Sequence, residues 1–138
     1  MRFDRVTIGC HGIFVMFDMH DPESLHRGIP TWLERIETWL SLRGGCPINK
    51  RPILMLVGAK VDHSPESPDS LVQIRADAES LAVERDIPYG ECSAKTGQGV
   101  LELLARMIRT VADRPDFIDK FQPLAKTAGE AGARCVIS

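Results

Sequence analysis

Pro52-Ile53-Leu54-Met55-Leu56-Val57 is an unbroken apolar run, and charge returns only beyond it, in Gly58-Ala59-Lys60-Val61-Asp62. A strand with one wet face alternates polar and apolar residues, whereas a run without alternation suits a strand covered on both faces by helices, as in a parallel sheet. Gly12-Ile13-Phe14-Val15-Met16-Phe17 has the same character, and Tyr89 to Ser93 is a shorter third candidate. Helical spacing follows each run. It places Trp32, Ile36, Trp39 and Leu40 within Ile29 to Leu42, and Leu71, Ile74, Ala78, Leu81 and Ala82 within Leu71 to Arg85. In Val100 to Val111 the stripe is Leu101, Leu104, Ala105 and Ile108. Strand and helix alternate throughout, which predicts an α/β fold of three parallel strands with alternating helices.

Ligands of such sheets sit beyond the carboxyl ends of the strands. Attention therefore falls on Asp18 to Pro22, Gly58 to Asp62 and Cys92 to Gly97. Asp18 and Asp21 suit capping of the turn that follows them, and Asp69 or Ser70 suits the N-terminus of the second helix. The stretch from His63 to Ser70, with its two Ser-Pro pairs, is a loop by composition. Beyond Val111 the periodicity fades. Residues 1–112 are thus expected to form one domain, and 113–138 a flexible tail.

Bulk properties narrow the function. A chain of 138 residues with 43% apolar content suits a single core. A formal charge of −2 offers no basic field for a nucleic acid. Cys10, Cys46, Cys92 and Cys135 are scattered without a CxxC pair, which points to reduced thiols in a cytosolic protein rather than a disulfide or zinc framework. His11, His20, His26 and His63 have no acidic or thiol partner at metal spacing, so no metal site is expected. The apolar runs are far shorter than the roughly 20 residues that cross a bilayer. Any membrane contact would need an anchor. Trp32 and Trp39 fall on one helical face and read as packing residues.

The loop after the second strand reads Ala59-Lys60-Val61-Asp62, and the loop after the third reads Ser93-Ala94-Lys95. In this the sequence resembles a Ras-superfamily small GTPase of the Rab or Ras branches, whose members carry Asn-Lys-x-Asp and then Ser-Ala-Lys at those strand ends. The likeness runs from Arg2 to about Ala112 and includes Phe17-Asp18-Met19 and Asp21-Pro22-Glu23-Ser24-Leu25. It implies a partial P-loop NTPase fold and GTP or GDP as the ligand.

The resemblance also implies roles for the loop residues. Guanine presents two adjacent donors, and one carboxylate accepts from both, a role it gives to Asp62. Charge-assisted hydrogen bonds of this kind contribute about 1.5–3 kcal/mol each. The alkyl stems of Lys60 and Lys95 would cover the faces of the base, the amide of Ala94 would donate to the guanine carbonyl, and Ser93 would hold the loop. Ala59 stands where the family has Asn, and loss of that amide should weaken binding by about 1–3 kcal/mol.

Hydrolysis of GTP requires a Gly-rich loop ending in Lys-Ser/Thr, magnesium ligands and a water-orienting residue. Gly44-Gly45 and Gly97-x-Gly99 lack the lysine and preceding strand of a phosphate loop. No catalytic residue and no magnesium ligand is assigned, and Met1-Arg2-Phe3 resembles the segment just after the family's Asp-x-x-Gly. The expectation is a truncated or degenerate small GTPase. At the other end, Cys135-Val136-Ile137-Ser138 matches a Cys-aliphatic-aliphatic-x prenylation box of the farnesylated class. A prenyl group on Cys135 would hold the protein peripherally on the cytoplasmic face of a membrane. The functional expectation is a membrane-tethered switch in signalling or vesicle traffic, with protein effectors; the alternative is a lipidated interaction module that binds no nucleotide.

Overall fold

A computed structural model describes residues 10–42, 51–62 and 68–115. The loop residues His63 to Ser67, Cys46 and the tail carrying Cys135 lie outside the described residues.

Strand β1 is Gly12–Asp18, β2 is Ile53–Ala59 and β3 is Tyr89–Cys92, and they form a parallel sheet in the order β1-β2-β3. Helix α1 is Ile29–Leu42, α2 is Pro68–Glu84 and α3 is Val100–Ala112. The expected α/β alternation and three parallel strands are therefore what the described residues form.

Alternation along each strand sends its side chains to two different cores. Val15 and Phe17 of β1 and Leu56 of β2 pack with Ile29, Leu33, Ile36 and Leu40 of α1 and Ile74, Ala78 and Ala82 of α2. Met55 and Val57 of β2 and Cys92 of β3 point the other way, onto Leu103 and Met107 of α3. Among the described residues two helices thus cover one face and a single helix crosses the other. Gly12 and Gly90 mark the line of that crossing, because a β-carbon on either would run into Met107 or Leu103 respectively.

Three details depart from the sequence reading. The stripe of α3 that meets the sheet is Leu103 and Met107, flanked by Val100 and Val111. Leu101, Leu104 and Ile108, expected to be that stripe, are exposed at 75%, 44% and 65%. Both sets have helical spacing, so periodicity could not choose; the turn at Gly97–Gly99 sets which set faces inward. Helix α2 begins at Pro68, a residue whose missing amide hydrogen suits the first turn, so Asp69 and Ser70 lie inside the helix and do not precede it. The third difference is a π-helical turn over Ser24–Gly28 that runs directly into α1, with the Ile29 amide donating to the Ser24 carbonyl. It allows Leu25 and Ile29 both to be buried.

On the first helix the buried stripe is Ile29, Leu33, Ile36 and Leu40. Trp39 packs beside it partly buried, whereas Trp32 is exposed enough for the Arg35 guanidinium to lie 5.2 Å from its ring centre. Truncating Ile36 to alanine should lower the unfolding free energy by about 2–5 kcal/mol, the range for a buried aliphatic side chain. Leu101→Ala should change it by less than about 0.5 kcal/mol. Urea unfolding of the two variants checks the inward face; equal losses would contradict it.

Candidate functional site

Because the strands are parallel and in register, their carboxyl ends lie side by side, with Asp18 opposite Ala59 and Ala59 opposite Cys92. The three loops leaving these residues are therefore neighbours. Ala59, Lys60 and Asp62 come from the β2 loop, and Ser93, Ala94 and Lys95 from the β3 loop.

Ser93 is fully buried, and each of its polar atoms is bonded. Its hydroxyl donates to Asp62 Oδ1 and accepts from the Thr96 amide at 3.1 Å. Its main-chain amide donates to the Gln98 carbonyl at 2.9 Å, and its carbonyl accepts from the Gly97 amide at 2.9 Å. A second tie runs from the Val61 amide to the Cys92 carbonyl at 3.3 Å. Ala94 and Lys95 stand exposed at the tip of this closed loop. Gly97 and Gly99 both have positive φ, +81° and +71°. At Gly99 a β-carbon would also collide with the Glu91 carbonyl, so only glycine fits where the loop turns back into α3.

On the β2 side, Lys60 also adopts the left-handed conformation, with φ +66°. Its ammonium lies 2.7 Å from Asp18 Oδ2, while Asp18 Oδ1 accepts from the His20 amide at 2.9 Å. The His20 ring bonds the Lys60 carbonyl at 3.1 Å, and the Met19 amide donates to the Ala59 carbonyl at 3.1 Å. Burial alone would push the Asp18 carboxyl up, but hydrogen bonds from Lys60 and His20 outweigh it and hold Asp18 below the usual carboxylate range. The same hydrogen bond raises the Lys60 ammonium above its ordinary value.

The β3 strand carries one more charged group. Glu91 accepts from Arg75 of α2 through both carboxylate oxygens, at 2.5 and 2.8 Å, and from the Tyr89 hydroxyl at 2.7 Å. The hydrogen bond from Arg75 lowers the Glu91 carboxyl against the opposing effect of burial. Burial and the hydrogen bond to Glu91 push the Tyr89 hydroxyl up.

The sequence that forms these loops matches a known family. The sequence profile of the Ras family fits residues 3–113. The chain belongs to the Ras family. Among relatives, the GTP-binding protein YPTM2 of Zea mays is 31% identical over 117 residues, 82% of this chain and 51% of that protein. RabF1 of Dictyostelium discoideum is 26% identical over 131 residues, 94% of this chain and 60% of that protein. Rab-26 of Rattus norvegicus is 32% identical over 103 residues, 72% of this chain and 35% of that protein. The chain thus spans about half the length of the first two of these.

Within this Ras-family chain, the motif residues named from the sequence converge at one end of the sheet, and Asp62 and Ser93 are directly bonded. Asp18, expected to cap the turn after β1, has two roles. It does hold the His20 amide, and Asp21 holds the Glu23 amide at 3.1 Å, but Asp18 also pairs with Lys60. Arg75, Tyr89, Glu91 and Thr96 complete these contacts without belonging to the motif positions. Glu91 carried a signal, since a carboxylate within a strand of a covered sheet demands a cationic or hydrogen-bonded partner. Among the described residues no cluster of His, Cys, Asp and Glu is arranged to hold a metal ion, and no helix is long and apolar enough to cross a membrane.

Glu91 and Asp18 both have lowered folded-state pKa values, so their contribution is full above the ordinary carboxylate range, about pH 4, and is lost as pH falls through the lowered values. Stability should decline over that acid window, and Glu91→Gln should flatten the decline. Urea midpoints measured from pH 7 to pH 3 check this; an unchanged slope in the variant would refute it.

Proposed function

We propose that this chain carries the guanine-reading part of a small GTPase and serves as a membrane-tethered switch in signalling or vesicle traffic. The observation that supports it best is the bond from buried Ser93 to Asp62, which joins the two loops that bear the family's base-recognition residues. In this reading GTP or GDP is the ligand, and Asp62 accepts from the two donors on the Watson–Crick edge of guanine. The Ala94 amide donates to the guanine carbonyl, and the stems of Lys60 and Lys95 cover the ring faces. The phosphate chemistry is assigned to no residue of this chain. Protein effectors are the expected partners, and a prenyl group on Cys135 is the proposed tether to the cytoplasmic face of a membrane.

Titration of a fluorescent GDP into the purified chain tests the base site. Saturable binding is expected, displaced by GDP and not by ADP, and Asp62→Ala should weaken it at least about tenfold because two charge-assisted hydrogen bonds are lost. Absence of saturation at high micromolar protein would remove nucleotide binding as an activity.

Two features favour the second reading, a lipidated interaction module without nucleotide. Ala59 brings no side-chain amide, and the Lys60 ammonium is engaged by Asp18. Membrane attachment is common to both readings and has its own test. Cys135→Ser should move the protein from the membrane to the soluble fraction of cells, and an unchanged distribution would refute prenylation as the tether.

A further inference from the structure

The Arg75–Glu91–Tyr89 cluster lies outside every residue assigned to the base, yet it is built on the strand that feeds the Ser93 loop. Arg75 belongs to α2 and Glu91 to β3, so their paired hydrogen bonds cross between elements. A guanidinium that engages both carboxylate oxygens fixes orientation as well as distance, which a single-point lysine pair does not. The third donor, Tyr89, is itself held, its ring stacked on Phe17 with centres 6.3 Å apart.

Three connections carry this constraint into the loops. Glu91 is paired with Gly58 of β2, directly before the Ala59–Asp62 segment. Its carbonyl lies against Gly99, where the Ser93 loop returns to the helix. Its neighbour Cys92 accepts from the Val61 amide. A shift of Glu91 would therefore move both ends of the loop that holds Asp62 through Ser93.

We propose that Arg75, through Glu91, is a positioning residue that fixes the angle at which Asp62 and the Ser93 loop meet guanine. This rests on the guanine-reading function proposed above. The alternative is an ordinary partly exposed ion pair that fastens α2 to the sheet, worth little and without effect on base choice.

Inosine diphosphate separates the two, because it lacks the exocyclic amino group that the Asp62 carboxylate would read. In Arg75→Ala affinity for GDP should fall more than affinity for inosine diphosphate, which keeps only one of the two donors read by Asp62, so that the preference for GDP falls about fivefold. Arg75→Lys, which keeps the charge without the fork, should lie between. A merely structural pair would weaken both nucleotides equally or neither, and either result would overturn the proposal. A second measurement needs no nucleotide. Amide hydrogen exchange at Thr96 and Gly97, both bonded to Ser93, should accelerate about tenfold in Arg75→Ala relative to the β1–β2 amides. Unchanged exchange would also overturn it. If the unmodified chain binds no GDP, the function reading fails while the exchange result still decides the clamp.

Discussion

A buried serine hydroxyl bonded to an aspartate from a different loop is the constraint on which the rest of this surface depends. Ser93 has no solvent to fall back on, so every hydrogen bond it lacked would carry the full penalty of a desolvated polar group. It avoids that penalty by tying Asp62, Thr96, Gly97 and Gln98 to one point. Two loops that are distant in sequence thereby become one rigid platform. The parallel register of the sheet makes the meeting possible, since it brings the ends of β1, β2 and β3 to the same level.

The two faces of the sheet support this platform unequally. Helices α1 and α2 share a core with Val15, Phe17 and Leu56, and it includes large side chains that are almost wholly enclosed. Among the described residues the other face is covered by α3, through Leu103 and Met107. Helix α3 is positioned by Gly99, whose left-handed backbone and contact with the Glu91 carbonyl leave no room for a side chain. One glycine therefore closes the Ser93 loop and orients the helix that follows.

The architecture was legible in the sequence because β1 and β2 are apolar without alternation, a pattern with few explanations other than a doubly covered parallel strand. The helix α1 also began at Ile29 as its spacing implied. The inward face of α3 was not legible. Leu101, Leu104 and Ile108 satisfy helical periodicity as well as Leu103 and Met107 do, and a turn conformation outside the helix decides between them. At the candidate site, the meeting of the two motif loops at the strand ends was readable from their order after β2 and β3. Their partners were not, because Asp18 and Arg75 reach Lys60 and Glu91 across elements, and no local spacing encodes such contacts.

The same geometry determines what holds the loop after β2. Ala59 ends β2 with its carbonyl accepting from the Met19 amide and its side chain reduced to a methyl group, so the position ties the ends of β2 and β1 through the main chain and has no polar side-chain group. The next residue, Lys60, takes a left-handed backbone that costs a non-glycine residue of order 1–2 kcal/mol. That conformation persists because both ends of the residue are held, the ammonium by Asp18 and the carbonyl by the His20 ring. Asp18, with its carboxyl held ionised by the Lys60 ammonium and the His20 amide, therefore performs from β1 a task of loop retention that the residue at position 59 has no side-chain group to share. The β2 loop is thus held by the first strand and the β3 loop by Ser93, and Asp62 stands where the two systems join.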